Sequence, residues 1–518
     1  EGRDGRKLQL RGGGIVRFRP DGSGLDLFAR GTRNNLEAAV GPLLDMIARD
    51  NTNDGGGWNV RLHAFTGLED HGYPRRYMYF ADEVVAPLAD YGGGSGTGAC
   101  WIDEPWMPAA LNDQPYTCDW GTGRIYRHPL TLREAGYDAK QESFLEINRA
   151  TDLDVDALGN IYAASWRNGG FKWSGPDVGF VARLRPEGLA TIPLPDLGKA
   201  TAAELVAVLA GPSHRLRLDA KRALLGRSLV AEAELALATL TRDPQARLSS
   251  RVAAIFTLAL GRDGDAVPTL AALSADDAVA PWAIRTIGDL AAAGTAVPLE
   301  PLRAALGSAE ARVRRESVIA LARTGDGGEA ANLLAMTVDG DPIVAHTSVE
   351  GLVRLAAARE ADVVAACTAV LDESSTPPAL RRTACRVLGE IHSEPAVDAV
   401  VARLETADAA GRGDLVWAAA RQWRRESDWK GDGWGTRPDT RGPYYALEEW
   451  SASPRIVAAI AAAVKAAAPT ELPGLARTLG LHRLPAAAVG VNYAAHSVVE
   501  PPQRATAATV AAPTVDPA

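Results

Sequence analysis

Cysteine is scarce, with four in 518 residues. That density cannot supply a disulfide framework, so buried apolar surface must hold the fold. Cys-x-x-Cys-His is absent, which excludes a c-type haem attached to this chain. Long apolar runs are also missing. The longest, Val457 to Ala468, falls short of the roughly 20 residues a membrane helix needs and contains Lys465. Positive charge is not in excess: 55 Lys and Arg stand against 64 Asp and Glu, a net charge of -9. Neither half is basic, so nucleic acid is not expected as a partner. There is no Gly-x-Ser-x-Gly, phosphate loop, His-Glu-x-x-His or dinucleotide fingerprint.

Aromatic residues are missing from one long stretch. Residues 191–410 hold only Phe256 and Trp282, whereas residues 1–190 hold 21 of the 31 aromatics and 28 of the 51 glycines. The first part reads as short strands joined by Gly-rich turns, the second as helix. Ile15–Arg19 alternates, Pro20–Gly24 punctuates, and Leu25–Phe28 alternates again. Proline presets the turn and glycine supplies positive φ, which makes this a hairpin. The form returns at 118–127, 153–163 and 179–184. Repeated hairpins of this kind predict propeller blades, with a β-sandwich as the alternative.

The helical part repeats. Small or apolar anchors at Ala220, Ala254, Ile284, Ser317, Ser348 and Ala384 are spaced by 34, 30, 33, 31 and 36 residues. Arginine stands three positions earlier at 217, 251, 314 and 381. A small residue where two helices touch, at such a period, is the mark of an α-solenoid. It resembles the short HEAT-like repeats. Breaks at Gly325–Gly328 and Thr376–Pro378 fall between repeats. The expected organisation is a β-propeller of three to four blades over 1–190 and a HEAT-like solenoid over 191–425. A Trp/Gly/Pro-rich insertion over 426–450 is expected to lie on the solenoid. Helices over 451–495 and a disordered tail over 496–518 complete it.

The densest polar constellation is Gly31-Thr32-Arg33-Asn34, then the loop Asp50–Asn59, then Asp70-His71-Gly72-Tyr73-Pro74. Their order resembles the soluble quinoprotein sugar dehydrogenases, six-bladed propellers that bind pyrroloquinoline quinone (PQQ) and calcium. Segments 92–98, 118–120 and 434–439 extend the likeness to a planctomycete-type subgroup of propeller–HEAT proteins described as membrane-bound dehydrogenases. The resemblance implies a sugar or alcohol substrate and a hydride passing to the quinone. Electrons would leave to a cytochrome c or haem domain, in a periplasmic or secreted protein. It assigns Arg33 to charge stabilisation on the quinone and Arg33, Asn34 and Asn59 to cofactor binding. It assigns Asp50, Asn51 and Asp54 to calcium, a hard cation that takes carboxylate and carbonyl oxygen.

The chain departs from that pattern. Asn35-Leu36-Glu37-Ala38 follows the turn where the family has Pro and a Gly-rich strand. Neither His63 nor His71 matches the family's general base, which belongs to early blades expected upstream of Glu1. A haem domain would lie beyond Ala518. This piece is therefore expected to be inactive alone. Asp50-x-Thr52-x-Asp54-Gly55 begins like an EF-hand loop, but its twelfth position is Arg61 where a glutamate is required. Arg33 and Asn34 also admit a structural reading, as a blade-end ion pair and a turn. Cys100 and Cys118 admit either a disulfide or free thiols. Cys367 and Cys385 read as buried thiols, and His214, His346 and His392 as structural. A non-catalytic scaffold, with carbohydrate or protein on the propeller and a protein partner on the solenoid, is the alternative function.

Overall fold

The computed structural model describes every residue except 11, 53–58, 171, 173–174, 190–192, 429–442, 445, 497 and 499–518. Two expectations therefore lie largely or wholly outside the described residues: the centre of the 426–450 insertion and the character of the tail. The chain divides into two compact units, with the main boundary in sequence between Ala366 and Cys367.

The first unit opens with antiparallel sheets. Strands β1 (Gly13–Arg17) and β2 (Asp26–Thr32) form the hairpin expected around Pro20–Gly24. Strands β3 (Ala39–Val40), β4 (Met46–Asn51), β5 (Val60–Phe65) and β6 (Ala89–Asp90) follow as a four-stranded meander. A second four-stranded sheet has the order β12-β9-β8-β7, from β7 (Gly96–Ile102), β8 (Gln114–Asp119), β9 (Arg124–Arg127) and β12 (Glu142–Glu146). The hairpin β10 (Leu130–Arg133) and β11 (Gly136–Ala139) projects between its last two strands. The last sheet joins β13 (Ala150–Val155), β14 (Ile161–Ser165) and β15 (Phe180–Leu184). Among the described residues these sheets do not close into a barrel.

Alternation explains the core. Leu153, Val155, Ile161 and Ala163 point inward and pack with Ile102, Tyr116, Cys118 and Ile125, while Asp152 and Asp154 point outward. Each large apolar side chain buried here stabilises the fold by about 1.5–3 kcal/mol. Cys100 and Cys118 lie in that core as free thiols. Cys100 sits opposite Tyr116 in the β7–β8 register, not opposite Cys118, which removes the disulfide alternative.

Helical pairs begin with Ala202–Leu209 and His214–Gly226 and continue through Pro342–Asp372, a helix kinked at Arg359. Ala220, Ala254, Ile284, Ser317, Ser348 and Ala384 are all 0% exposed. The serines among them donate to the facing helix of their own pair, Ser317 to the Leu302 carbonyl and Ser348 to that of Leu333. The arginines three positions before an anchor reach carbonyls at the end of the preceding helix or in the turn that follows it. Arg251 donates to Thr241, Arg314 to Ser308 and Ala309, and Arg381 to Leu371. A guanidinium suits that place because it satisfies orphan carbonyls and faces the negative end of the helix. Gly288 marks a close approach, since a Cβ there would sit 2.7 Å from the Ala320 Cα.

Within this unit the sheets are fastened to the helices. Trp282 donates its indole N–H to the Leu43 carbonyl at 2.7 Å, and Arg312 pairs with Asp45. The Ala135 amide donates to Asp341 at 3.0 Å. Glu104 receives the Ser213 hydroxyl and the Arg215 amide at the start of helix His214–Gly226. Trp282, Arg312 and Asp341 are thus engaged by loops of the same chain.

The second unit holds helices Pro378–Glu390, Glu394–Leu404, Ala409–Gln422, Ser453–Ala466 and Leu472–Leu481. The described ends of the insertion pair as β16 (Arg425–Glu426) and β17 (Leu447–Glu448). There Trp450 donates to the Gln422 carbonyl, and the Tyr444 hydroxyl lies 2.6 Å from His482 Nδ1.

Candidate functional site

The separated motifs of the sheet region meet at one turn. Gly31, next to the last residue of β2, has φ of +83°, and a Cβ there would stand 2.2 Å from Asp70 Oδ1 and 2.4 Å from the Gly72 amide nitrogen. Only glycine admits that conformation beside a crossing backbone. Tyr73 donates its N–H to the Gly31 carbonyl at 2.8 Å, and His71 donates to Arg30 at 2.9 Å.

Asp50, buried at the end of β4, holds the other side. Its Oδ1 accepts the Arg33 amide at 3.1 Å and the Asn34 amide at 2.8 Å. Burial raises its pKa, and the two amides oppose that shift. The Arg33 guanidinium donates Nη1 to the Asn51 carbonyl at 2.9 Å, and Arg33 and Asn34 both remain half-buried. Asn51 donates its carboxamide to Ser95 Oγ at 3.1 Å. Asn59 is exposed, and its carbonyl accepts the Thr52 hydroxyl at the base of the loop. Asp54 lies outside the described residues. Arg33, Asn34, Asp50 and Asn51 are thus neighbours, with Asn59 at the loop base.

The donor set can be matched to the two groups the resemblance implies. A guanidinium beside a carboxamide suits an anionic quinone that carries carboxylates. Calcium does not fit the described part of the loop. The Asp50 carboxylate is engaged by two amides and the Asn51 side chain by Ser95. Among the described residues no group of three or more His, Cys, Asp or Glu is placed to hold a metal ion.

The surrounding charges are strongly perturbed. Burial opposes ionisation of Asp70, but Arg30 and Arg76, each 3.1 Å from Oδ2, outweigh it and hold the carboxyl at about 2. Burial raises Glu69 to about 7 against amide bonds from Thr66 and Gly67. His63 and His71, both 2% exposed, lie with ring centroids 4.3 Å apart and their planes tilted by 56°. Burial lowers His71 to about 4 and moves His63 well below the usual imidazole value. His71 faces Glu69 at 4.0 Å and His63 faces Asp50 at 3.8 Å.

Sequence reasoning missed the part played by Asp119. It accepts the Ser95 and Thr122 amides and pairs with Arg49, whose guanidinium lies over Tyr91 and Tyr126. An Asp followed by Trp-Gly-Thr-Gly signals a turn that needs an amide acceptor, and that signal was present. The helix residues that reach this turn, His346 at the Asp70 amide and Glu350 at Arg30, left no local signal.

No protein-family model and no curated protein matches the chain. Among solved structures, the PQQ-bound aldose sugar dehydrogenase of Streptomyces coelicolor is similar, with 18% identity and a TM-score of 0.27. That match covers 34% of this chain and 52% of the dehydrogenase. Human deoxyhypusine hydroxylase in complex with glycerol is similar at 19% identity and a TM-score of 0.20, over 44% of this chain and 86% of that one. The Pds5–Scc1 complex is similar at 11% identity and a TM-score of 0.28, over 56% and 50%. Among the described residues no helix is long and apolar enough to cross a membrane.

Proposed function

We propose that this chain contributes part of the cofactor site of a quinone-dependent dehydrogenase acting on a sugar or an alcohol. In this reading the successive meanders are blades of an incomplete propeller and the helical pairs are HEAT-like repeats. The observation that carries it is the convergence of Gly31–Asn34, Asp50–Asn51 and Asp70–Tyr73 on one turn with a half-buried guanidinium.

PQQ, when bound, supplies the hydride acceptor. The chain's own part is electrostatic. Arg33, steadied by the Asn51 carbonyl, offers positive charge where a quinone oxygen would become negative, and Asn34 offers an amide beside it. Asp50 sets the turn so that the guanidinium needs no reorganisation at the moment of transfer. His63 and His71 are too deeply buried to take the substrate proton, so this chain alone is expected to lack turnover. Electrons would leave to a cytochrome c or haem-bearing partner, and a periplasmic or secreted setting would suit that chemistry.

A melting experiment tests the reading. PQQ at 100 times its Kd should stabilise the wild type by about 2.7 kcal/mol, and Arg33→Gln should lose most of that shift. No shift at saturating PQQ would favour a non-catalytic binding scaffold instead.

A further inference from the structure

The Gly31–Asn34 turn is anchored from outside its own sheet. Arg30, the residue before Gly31, places Nη2 2.7 Å from Glu350 and Nε 3.1 Å from Asp70. The Asp70 amide donates to His346 Nε2 at 3.1 Å. His346 and Glu350 are four residues apart on the helix that begins at Pro342, so they share one side of it. Asp70 then presses on Gly31, where space for even a Cβ is lacking. Arg33 therefore stands three residues from an ion pair to the helix, with its amide on Asp50 at the other end. Asp70, His346 and Glu350 are all buried. The Arg30 side chain is 39% exposed, but the buried carboxylates it joins, Asp70 and Glu350, have little solvent to replace a lost contact.

We propose that His346 and Glu350 are positioning residues for the Gly31–Asn34 turn. Through Asp70 and Arg30, the helical repeat sets where the Arg33 guanidinium stands. What the turn binds rests on the quinone reading above; the positioning does not. The helices then act as a jig for a site built wholly on the sheets.

Peptide-resolved amide hydrogen exchange on the full chain, paired with PQQ titration, tests this. Glu350→Gln weakens the pair to Arg30, and His346→Leu removes the acceptor of the Asp70 amide. His346→Gln is the conservative rescue, since its carbonyl can accept that amide. Arg312→Gln is the control, because it breaks a sheet-to-helix ion pair with Asp45 and touches neither Arg30 nor Asp70. Exchange at the Arg33 and Asn34 amides should quicken about tenfold or more in Glu350→Gln and His346→Leu. It should stay at the wild-type rate in Arg312→Gln and return toward it in His346→Gln. PQQ affinity should weaken in the first two variants only. Unchanged protection at Arg33 and Asn34 in Glu350→Gln, or equal loss in Arg312→Gln, would overturn the proposal. If His346→Leu does not fold, Glu350→Gln decides alone. If the exchange pattern holds while even the wild type ignores PQQ, the quinone reading fails and the positioning stands.

Discussion

Arg49 and Asp119 form a two-pronged ion pair, with Nε and Nη2 at 2.9 and 2.8 Å from Oδ2 and side chains 1% and 0% exposed. Arg49 also donates to Gln141 at 2.5 Å and lies between the rings of Tyr91 and Tyr126. The pair joins the end of β4 to the end of β8, directly beside the Asp50 anchor. Removing one partner leaves a buried charge alone. Asp119→Ala should therefore destabilise the first unit by about 3–5 kcal/mol, read as a lower midpoint in urea. A loss below about 1 kcal/mol would mean that the site is better hydrated than this geometry allows.

The helical repeat makes a second prediction. Ser317 is fully buried and donates to the Leu302 carbonyl, so Ser317→Ala should cost about 1 kcal/mol. Gly288→Val should cost about 1–3 kcal/mol, because the Ala320 backbone cannot move away without shifting its helix. Exposed Leu235 serves as the control, and Leu235→Ala should move the midpoint little. Equal effects at all three sites would contradict the repeat packing.

The histidine pair links stability to pH. His71 has its folded pKa at about 4, below the unfolded value near 6.5, so its neutral form is favoured on folding. That contribution is present above pH 6.5 and is lost as pH falls toward 4, by up to about 1.4 kcal/mol per pH unit. Glu69 is raised to about 7 and acts in the opposite sense, adding stability as pH falls from 7 toward 4.5. Urea titrations at several pH values should therefore show a steeper acid decline in Glu69→Gln than in the wild type. The decline should be shallower in His71→Gln. Parallel curves would contradict the assignment.

All four cysteines are buried free thiols, and burial raises Cys100 to about 12. A thiol reagent at neutral pH should label the native chain very slowly and the unfolded chain four times. A native mass that shows a disulfide would contradict the register of β7 and β8.

What the sequence disclosed and what it concealed differ for physical reasons. The anchors at 220, 254, 284, 317, 348 and 384 were legible because a repeated steric demand leaves a period. The hairpins at 15–28, 118–127 and 153–163 were legible because turn chemistry is local. Arg30 and Glu350 are 320 positions apart, and nothing local in either segment announces the other. The role of Asp50 was concealed differently. A carboxylate in a Gly-rich loop reads the same whether it faces a cation or two backbone amides, and only the fold distinguishes them. Cys100 and Cys118 were undecided because a register offset is invisible before the strands are paired.

Equilibrium titration of PQQ into the wild type and Arg33→Leu, side by side at fixed salt, probes the guanidinium itself. Binding to the wild type that weakens about tenfold or more in the variant is the result expected from losing a charge-assisted contact. Equal affinity in the two chains, or none in either, would contradict a quinone site at this turn.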